Sequence, residues 1–148
     1  MYKGTLIAVK NMEESKKFYH DILDMNVAGD FGANVQLDGG LFLQTLDTWC
    51  DFISSKEIYL KNNAGELYFE VSDIDAFCKK LRAVNVEYVH ELLEHSWGQR
   101  VVRFYCNHCN ILSNFYNMMV WVIFNNGMTE EQVAERMDVS VEYVKGIL

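Results

Sequence analysis

Glu66, Tyr68 and Glu70 alternate along one short segment, so in an extended strand their side chains share a face, opposite Leu67, Phe69 and Val71. Two carboxylates and a phenol on one face suit general-base chemistry, because a buried carboxylate pair has one pKa raised, or the capture of a cationic ligand. The alternative is that Arg100 or Arg103 from a nearby strand pairs with them, and the sequence leaves both open. His95-Ser96-Trp97-Gly98 opens a later strand, where Trp97 can stack on a planar ligand and His95 can act as acid or base or else face solvent. Cys106-Asn107-His108-Cys109 packs two thiols and an imidazole together, but the second C-x-x-C or histidine pair of a zinc site is missing, so reduced thiols in a turn are expected. Trp49, Phe52 and Tyr59 are candidates for a lid over a ligand, or for ordinary core aromatics. There is no G-x-G-x-x-G, Walker loop, nucleophile elbow or H-E-x-x-H to support a nucleotide or hydrolase reading.

The bulk properties narrow the partners. Thirteen basic against twenty-one acidic residues give a net charge of −8, which disfavours phosphate backbones, so nucleic acid is not an expected main partner. No apolar run approaches the ~20 residues of a membrane span, and no signal-peptide pattern opens the sequence. With four cysteines read as reduced, a soluble cytoplasmic protein is the expectation.

The elements that must position these residues occur twice. Tyr2 to Val9 reads as a strand, and Asn11 with Glu14 caps a helix whose apolar positions are Met12, Phe18, Tyr19, Ile22 and Leu23. Strands follow at Val27 to Phe31, Asn34 to Leu37 and Leu41 to Leu46, the last two joined by the Asp38-Gly39-Gly40 turn. Asp47 to Asn63 reads as a connector. The pattern then restarts: a strand at Leu67 to Val71, the cap Asp73, a helix burying Ile74, Phe77, Cys78 and Leu81, and strands at Val86 to Leu92, Gln99 to Tyr105 and about Asn110 to Asn114. Placing Val9 on Val71 superimposes Asn11 on Asp73 and Met12 on Ile74, an internal repeat of βαβββ units. The fold class predicted is α+β: two tandem βαβββ modules forming a cupped mixed sheet, followed by C-terminal helices. Residues 1–114 make the domain, with module one 1–46, connector 47–63 and module two 64–114, and residues 115–148 the helical extension.

Val9-Lys10-Asn11-Met12-Glu13-Glu14-Ser15-Lys16-Lys17-Phe18-Tyr19 resembles the strand-to-helix signature V-x-D-x-x-x-S-x-x-F-Y of the vicinal oxygen chelate superfamily, the glyoxalase, bleomycin-resistance and extradiol dioxygenase group. Trp97 to Tyr105 is similar to its penultimate strand. The resemblance implies a cup that holds a small molecule, commonly in a homodimer. It also implies, in metal-dependent members, four ligands from two strands of each module. The first falls on Gly4, which has no side chain, the second on Gln44, the third on Glu66 and the last on Ser113. At most Gln44 and Glu66 survive as metal candidates, so a divalent ion is disfavoured and no cofactor is expected.

Phe115 to Phe124 is apolar at every period and must be buried on the cup or on a second subunit. Beyond it, Gln132 to Val144 resembles the paired helices of helix-turn-helix DNA readers, but residues 128–148 carry five acidic against two basic residues, which favours a packing hairpin over a DNA reader. The expected function is a glyoxalase/bleomycin-resistance-like protein that binds a small molecule without the usual metal. Its candidate ligand-binding residues are Gln44, Trp49, Glu66, Tyr68, Glu70, Trp97, Arg100 and Arg103, and its candidate catalytic ones Glu66, Glu70 and His95. The alternatives are a metal-dependent lyase or isomerase of the glyoxalase I type and a ligand-sensing regulator with a DNA-binding tail.

Overall fold

The computed structural model describes residues 1–55, 58, 66–96, 99–105, 117–122 and 129–147. The first module runs β1 (Thr5–Val9), α1 (Met12–Leu23), β2 (Val27–Asp30), β3 (Asn34–Leu37) and β4 (Leu41–Thr45). A helix, α2 (Leu46–Phe52), follows β4 directly, taking Leu46 from the expected strand and the first residues of the expected connector. The second module repeats the order with β5 (Glu66–Glu70), α3 (Ile74–Ala83), β6 (Glu87–Glu94), β7 (Arg100–Tyr105) and β8 (Asn117–Val122). The chain ends in α4 (Glu130–Met137) and α5 (Val141–Ile147).

Both helices that follow the first strand of a module start where an acceptor side chain meets an orphan backbone donor. Asn11 Oδ1 accepts from the Glu14 amide at 3.2 Å, and Asp73 Oδ1 from the Ala76 amide at 2.8 Å. Each module then closes a four-stranded mixed sheet in the same order, β1-β4-β3-β2 and β5-β8-β7-β6, with the first strand parallel to the last and the others antiparallel.

Strand alternation sorts the two faces. Ile7 and Val9 of β1, Val35 and Leu37 of β3, and Leu41 and Leu43 of β4 are buried with Phe18, Tyr19 and Ile22 of α1. In the second module Val102 and Phe104 are buried with Ile74, Phe77, Cys78 and Leu81 of α3. All of these belong to one core, so the modules share their interior at the helix side. The opposite faces are mixed: Leu6 and Tyr68 are exposed on the two first strands, while Ala8, Gln44 and Val101 are buried.

The structure corrects the sequence expectation at the end of module two. The predicted strand at about Asn110 to Asn114 lies outside the described residues, and the strand that closes the second sheet is Asn117–Val122, where the helical extension was expected to have begun. The reason is its position. β8 is flanked by β5 and β7, so it is a central strand, and such a strand reads as a continuous apolar run rather than an alternating one. That run has no period to distinguish it from a buried helix.

Among the described residues the C-terminal pair forms a small core of its own from Val133, Ala134 and Val144, with Val139 and Val141 against it. Thr129 and Gln132 make the full reciprocal capping box at the start of α4, and Ser140 Oγ accepts from the Tyr143 amide at the start of α5. Lys145 on α5 lies 3.6 Å from Glu130 of α4.

Candidate functional site

The second sheet brings four chemistry-bearing side chains together on the face opposite α3. Glu66 and Tyr68 come from β5, Arg103 from β7 and His90 from β6, where His90 is the register partner of Arg103. Between Arg103 and β5 lies β8, since Arg103 pairs with Met119 and Glu66 with Asn117. The Arg103 side chain therefore crosses β8, and its Nε donates to Glu66 Oε2 at 2.9 Å.

On its other side Arg103 Nη1 lies 3.0 Å from His90 Nε2, while His90 Nδ1 lies 2.8 Å from the carbonyl oxygen of Glu91. A carbonyl only accepts and a guanidinium only donates, so Nδ1 carries the imidazole proton and Nε2 accepts from Arg103. The side chains of Glu66 and Arg103 retain 19% and 22% exposure, so the pair is mostly removed from water without being sealed. Burial alone raises the Glu66 carboxyl, but hydrogen bonds from Arg103 and Tyr68, with the guanidinium charge, outweigh it and hold the group below the ordinary glutamate range. The same contact, with Tyr68 donating to Glu66, pushes the phenol up. Tyr68 borders a cleft of about 170 Å³ where the turn before β4, at Gly39 and Gly40, comes up against β5.

The other predicted site residues are dispersed. Arg100 is three residues from Arg103 and so points to the opposite face, where it binds Asp75 of α3 through two hydrogen bonds of 2.9 and 2.8 Å. Glu70 is exposed at the end of β5 and lines a separate cleft of about 390 Å³ with Leu23, Phe69, Asp73 and Lys80. Gln44 is 2% exposed. Its amide accepts from Asn34 Nδ2 at 2.8 Å and donates to Thr48 of α2, a partnership internal to the first module. Trp49 sits half-buried on α2, and Phe52 beside it is exposed. His95 is half-buried after β6, its amide bonded to the Gln99 carbonyl at 2.8 Å. Trp97, Tyr59, Ser113, Cys106, His108 and Cys109 lie outside the described residues.

Sequence reasoning missed His90. β6 carries two register irregularities, between Tyr88 and His90 and between His90 and Leu93, so simple alternation cannot assign its faces. The usable signal was Arg103, whose parity with Val101 and Tyr105 separates it from Arg100.

The described residues do not fit the ligand set of a divalent ion. At Gly4, where the first ligand falls, an added Cβ would lie 2.0 Å from the Gly40 carbonyl oxygen and 2.8 Å from the Phe42 ring. Gln44 is committed to Asn34 and Thr48, and Glu66 to Arg103. Among the described residues no group of three or more His, Cys, Asp or Glu side chains is placed to hold a metal.

Comparison with known proteins gives three kinds of finding. A family profile described as glyoxalase-like domain matches residues 2–119. None of the curated proteins matches the sequence. Among solved structures, a protein of unknown function from Agrobacterium tumefaciens is 27% identical with a TM-score of 0.69, covering 84% of this chain and 94% of that one. A glyoxalase/bleomycin resistance protein/dioxygenase from Nocardioides is 16% identical with a TM-score of 0.60, covering 86% and 85%. A lactoylglutathione lyase from Agrobacterium tumefaciens is 14% identical with a TM-score of 0.57, covering 82% and 92%; at these last two identities the likeness is one of fold.

Proposed function

The chain belongs to the glyoxalase-like domain family, and from that premise we propose that it binds a small organic molecule beside Tyr68 and Arg103 of its second sheet without a divalent ion. The observation that carries this reading is the Glu66–Arg103–His90 cluster, in which the carboxylate at the third ligand position is already matched by a fixed cation. Electrostatic and hydrogen-bonding groups, not a Lewis acid, are then what the site offers a ligand: a half-buried ion pair, an oriented imidazole and a largely exposed phenol. The close approach of Gly4 to Gly40 supports the same reading, because a ligand side chain has no space there.

A homodimer is part of the proposal. Leu6, Phe31 and Phe52 are exposed large apolar side chains, at 38%, 74% and 69%, and pairing of two copies is the ordinary way to cover such surface. Cytoplasmic residence is proposed from the free thiols of Cys50 and Cys78 and the acidic composition.

The test combines metal analysis of protein purified without added ions with a thermal-shift screen of small molecules run in chelator. The expected result is a substoichiometric metal content and chelator-insensitive shifts that Tyr68→Phe or Glu66→Gln reduce. One tightly bound divalent ion per chain, lost in Glu66→Ala, would overturn the reading in favour of a metal-dependent lyase or isomerase.

A further inference from the structure

We propose that Arg103 is the resident cation of this cup: its guanidinium stands where two metal-type donors converge, excludes a divalent ion from them, and receives a small organic oxyanion as ligand. The inference rests on the reading above, that the Glu66–Arg103 region of the second sheet binds a small molecule without metal.

Three observations support it. The first is donor chemistry. A carboxylate and an imidazole nitrogen are the donors that transition ions take, and here both point at one guanidinium, Glu66 Oε2 at 2.9 Å from Nε and His90 Nε2 at 3.0 Å from Nη1. The second is orientation. His90 donates its Nδ1 proton to the Glu91 carbonyl, which fixes the tautomer and aims the Nε2 lone pair, an arrangement that metal-binding histidines also use. Glu66 and His90 are therefore poised as a two-donor set, with Arg103 as the cation between them.

The third is position. Arg103 reaches Glu66 across β8, a central strand, so the guanidinium lies over the middle of the sheet and not at its rim. Tyr68, on the same face of β5 two residues from Glu66, is 62% exposed beside it. Arg103 stands on Glu66, so a cationic ligand would have to displace a fixed guanidinium to reach that carboxylate. A ligand oxyanion gains charge-assisted hydrogen bonds from a planar cation held in place from two sides. The chemical class is a carboxylate or enolate on a small organic body.

The experiment uses the full chain in two arms. In the first, cobalt(II) is titrated into wild type, Arg103→Gln, Arg103→Lys and the double variant Arg103→Gln/Glu66→Gln, with affinity read by calorimetry and the ligand field by visible absorption. Arg103→Gln should bind cobalt(II) at least tenfold more tightly than wild type, Arg103→Lys should not, and the double variant should lose the gain. Arg103→Met carries the same expectation should the glutamine variant fail to fold, as circular dichroism reports. Equal cobalt(II) affinity in wild type and a folded Arg103→Gln or Arg103→Met overturns the resident-cation role.

In the second arm benzoate and benzamide are titrated against wild type and Arg103→Gln. Wild type should prefer benzoate at least fivefold and the variant should lose that preference. Equal binding of the two probes to wild type, or no benzoate binding, overturns the oxyanion assignment. A wild-type chain that carries a stoichiometric divalent ion as purified instead removes the metal-free reading on which both arms stand, so the two failures are distinguishable.

Discussion

Gly4→Ala should destabilise the protein out of proportion to the single methyl group it adds. The new Cβ would lie 2.0 Å from the Gly40 carbonyl oxygen, and that obstacle is backbone, which cannot rotate away as a side chain can. Non-bonded heavy atoms pack at about 3.5 Å, so the start of β1 has to move from Gly40 by about 1 Å or more. Such a shift acts on the adjoining Thr5 to Leu41 pair at the head of the parallel ladder. Overpacking of this kind costs about 1–3 kcal/mol, and a value near 2 lowers Tm by about 6 °C in a chain of this size. Gly4→His carries the same backbone clash and also meets Phe42, 2.8 Å from the Cβ position. A histidine that did complete a metal site would recover about 2.7 kcal/mol with nickel(II) at a hundred times its dissociation constant, enough to cancel the loss. The assay is thermal unfolding of wild type and both variants with and without nickel(II). The expected outcome is a lower Tm for both variants and no recovery with the ion. A Gly4→Ala protein melting within 1 °C of wild type, or a nickel-rescued Gly4→His, refutes the argument that the ligand position has been filled by close backbone packing.

Further outcomes follow from other parts of the structure. The Glu66 carboxyl is held below its ordinary value of 4.5, so its contribution to stability is complete above that pH and is lost as pH falls through the folded value. Urea unfolding from pH 3 to 7 should therefore show a smaller acid loss in Glu66→Gln than in wild type, and identical profiles would contradict the assignment. Asp75 is 62% exposed in its pair with Arg100, so Asp75→Asn should cost at most about 1 kcal/mol and leave metal content and ligand shifts unchanged. Thr129→Ala removes a reciprocal cap worth about 1 kcal/mol, and hydrogen exchange should quicken in α4 and α5 while β1 and β4 keep their protection, because among the described residues the hairpin core is separate from the main one.

What the sequence disclosed was the part of the fold written locally. Asn11 and Asp73 each precede a helical apolar stripe, and a cap plus a stripe needs no distant partner to be recognised, so both modules and their helices could be placed. α2 escaped because seven residues are too few to show a period and its first turn has no side-chain cap. The position of β8 escaped because a central strand flanked by two others loses its alternation. That second miss also concealed the site. Whether Glu66 meets Arg103 depends on which strand lies between them and in what register, information held in pairing across the sheet and not in neighbouring letters. Arg100 and Arg103 could have been separated by parity alone, since three residues of strand turn a side chain to the other face.

The matched strand order of the two sheets also sets a sequence of events in time. Each sheet is completed by its last strand, which docks parallel to its first: Thr5 with Leu41 in one, Glu66 with Asn117 in the other. These closures span 36 and 51 residues, and the longer one costs only about 0.3 kcal/mol more in chain entropy, too little to order the two halves. Synthesis orders them instead. At about 5–20 residues per second the ribosome releases Asn117 roughly 4–15 s after Leu41, ample time for the first sheet to close around α1. Arg103 and Glu66 emerge before the strand that lies between them, so the contact spanning β8 takes its final place only when that strand docks. The Glu66–Arg103 face is thus the last part of the domain to mature, on a scaffold already half built.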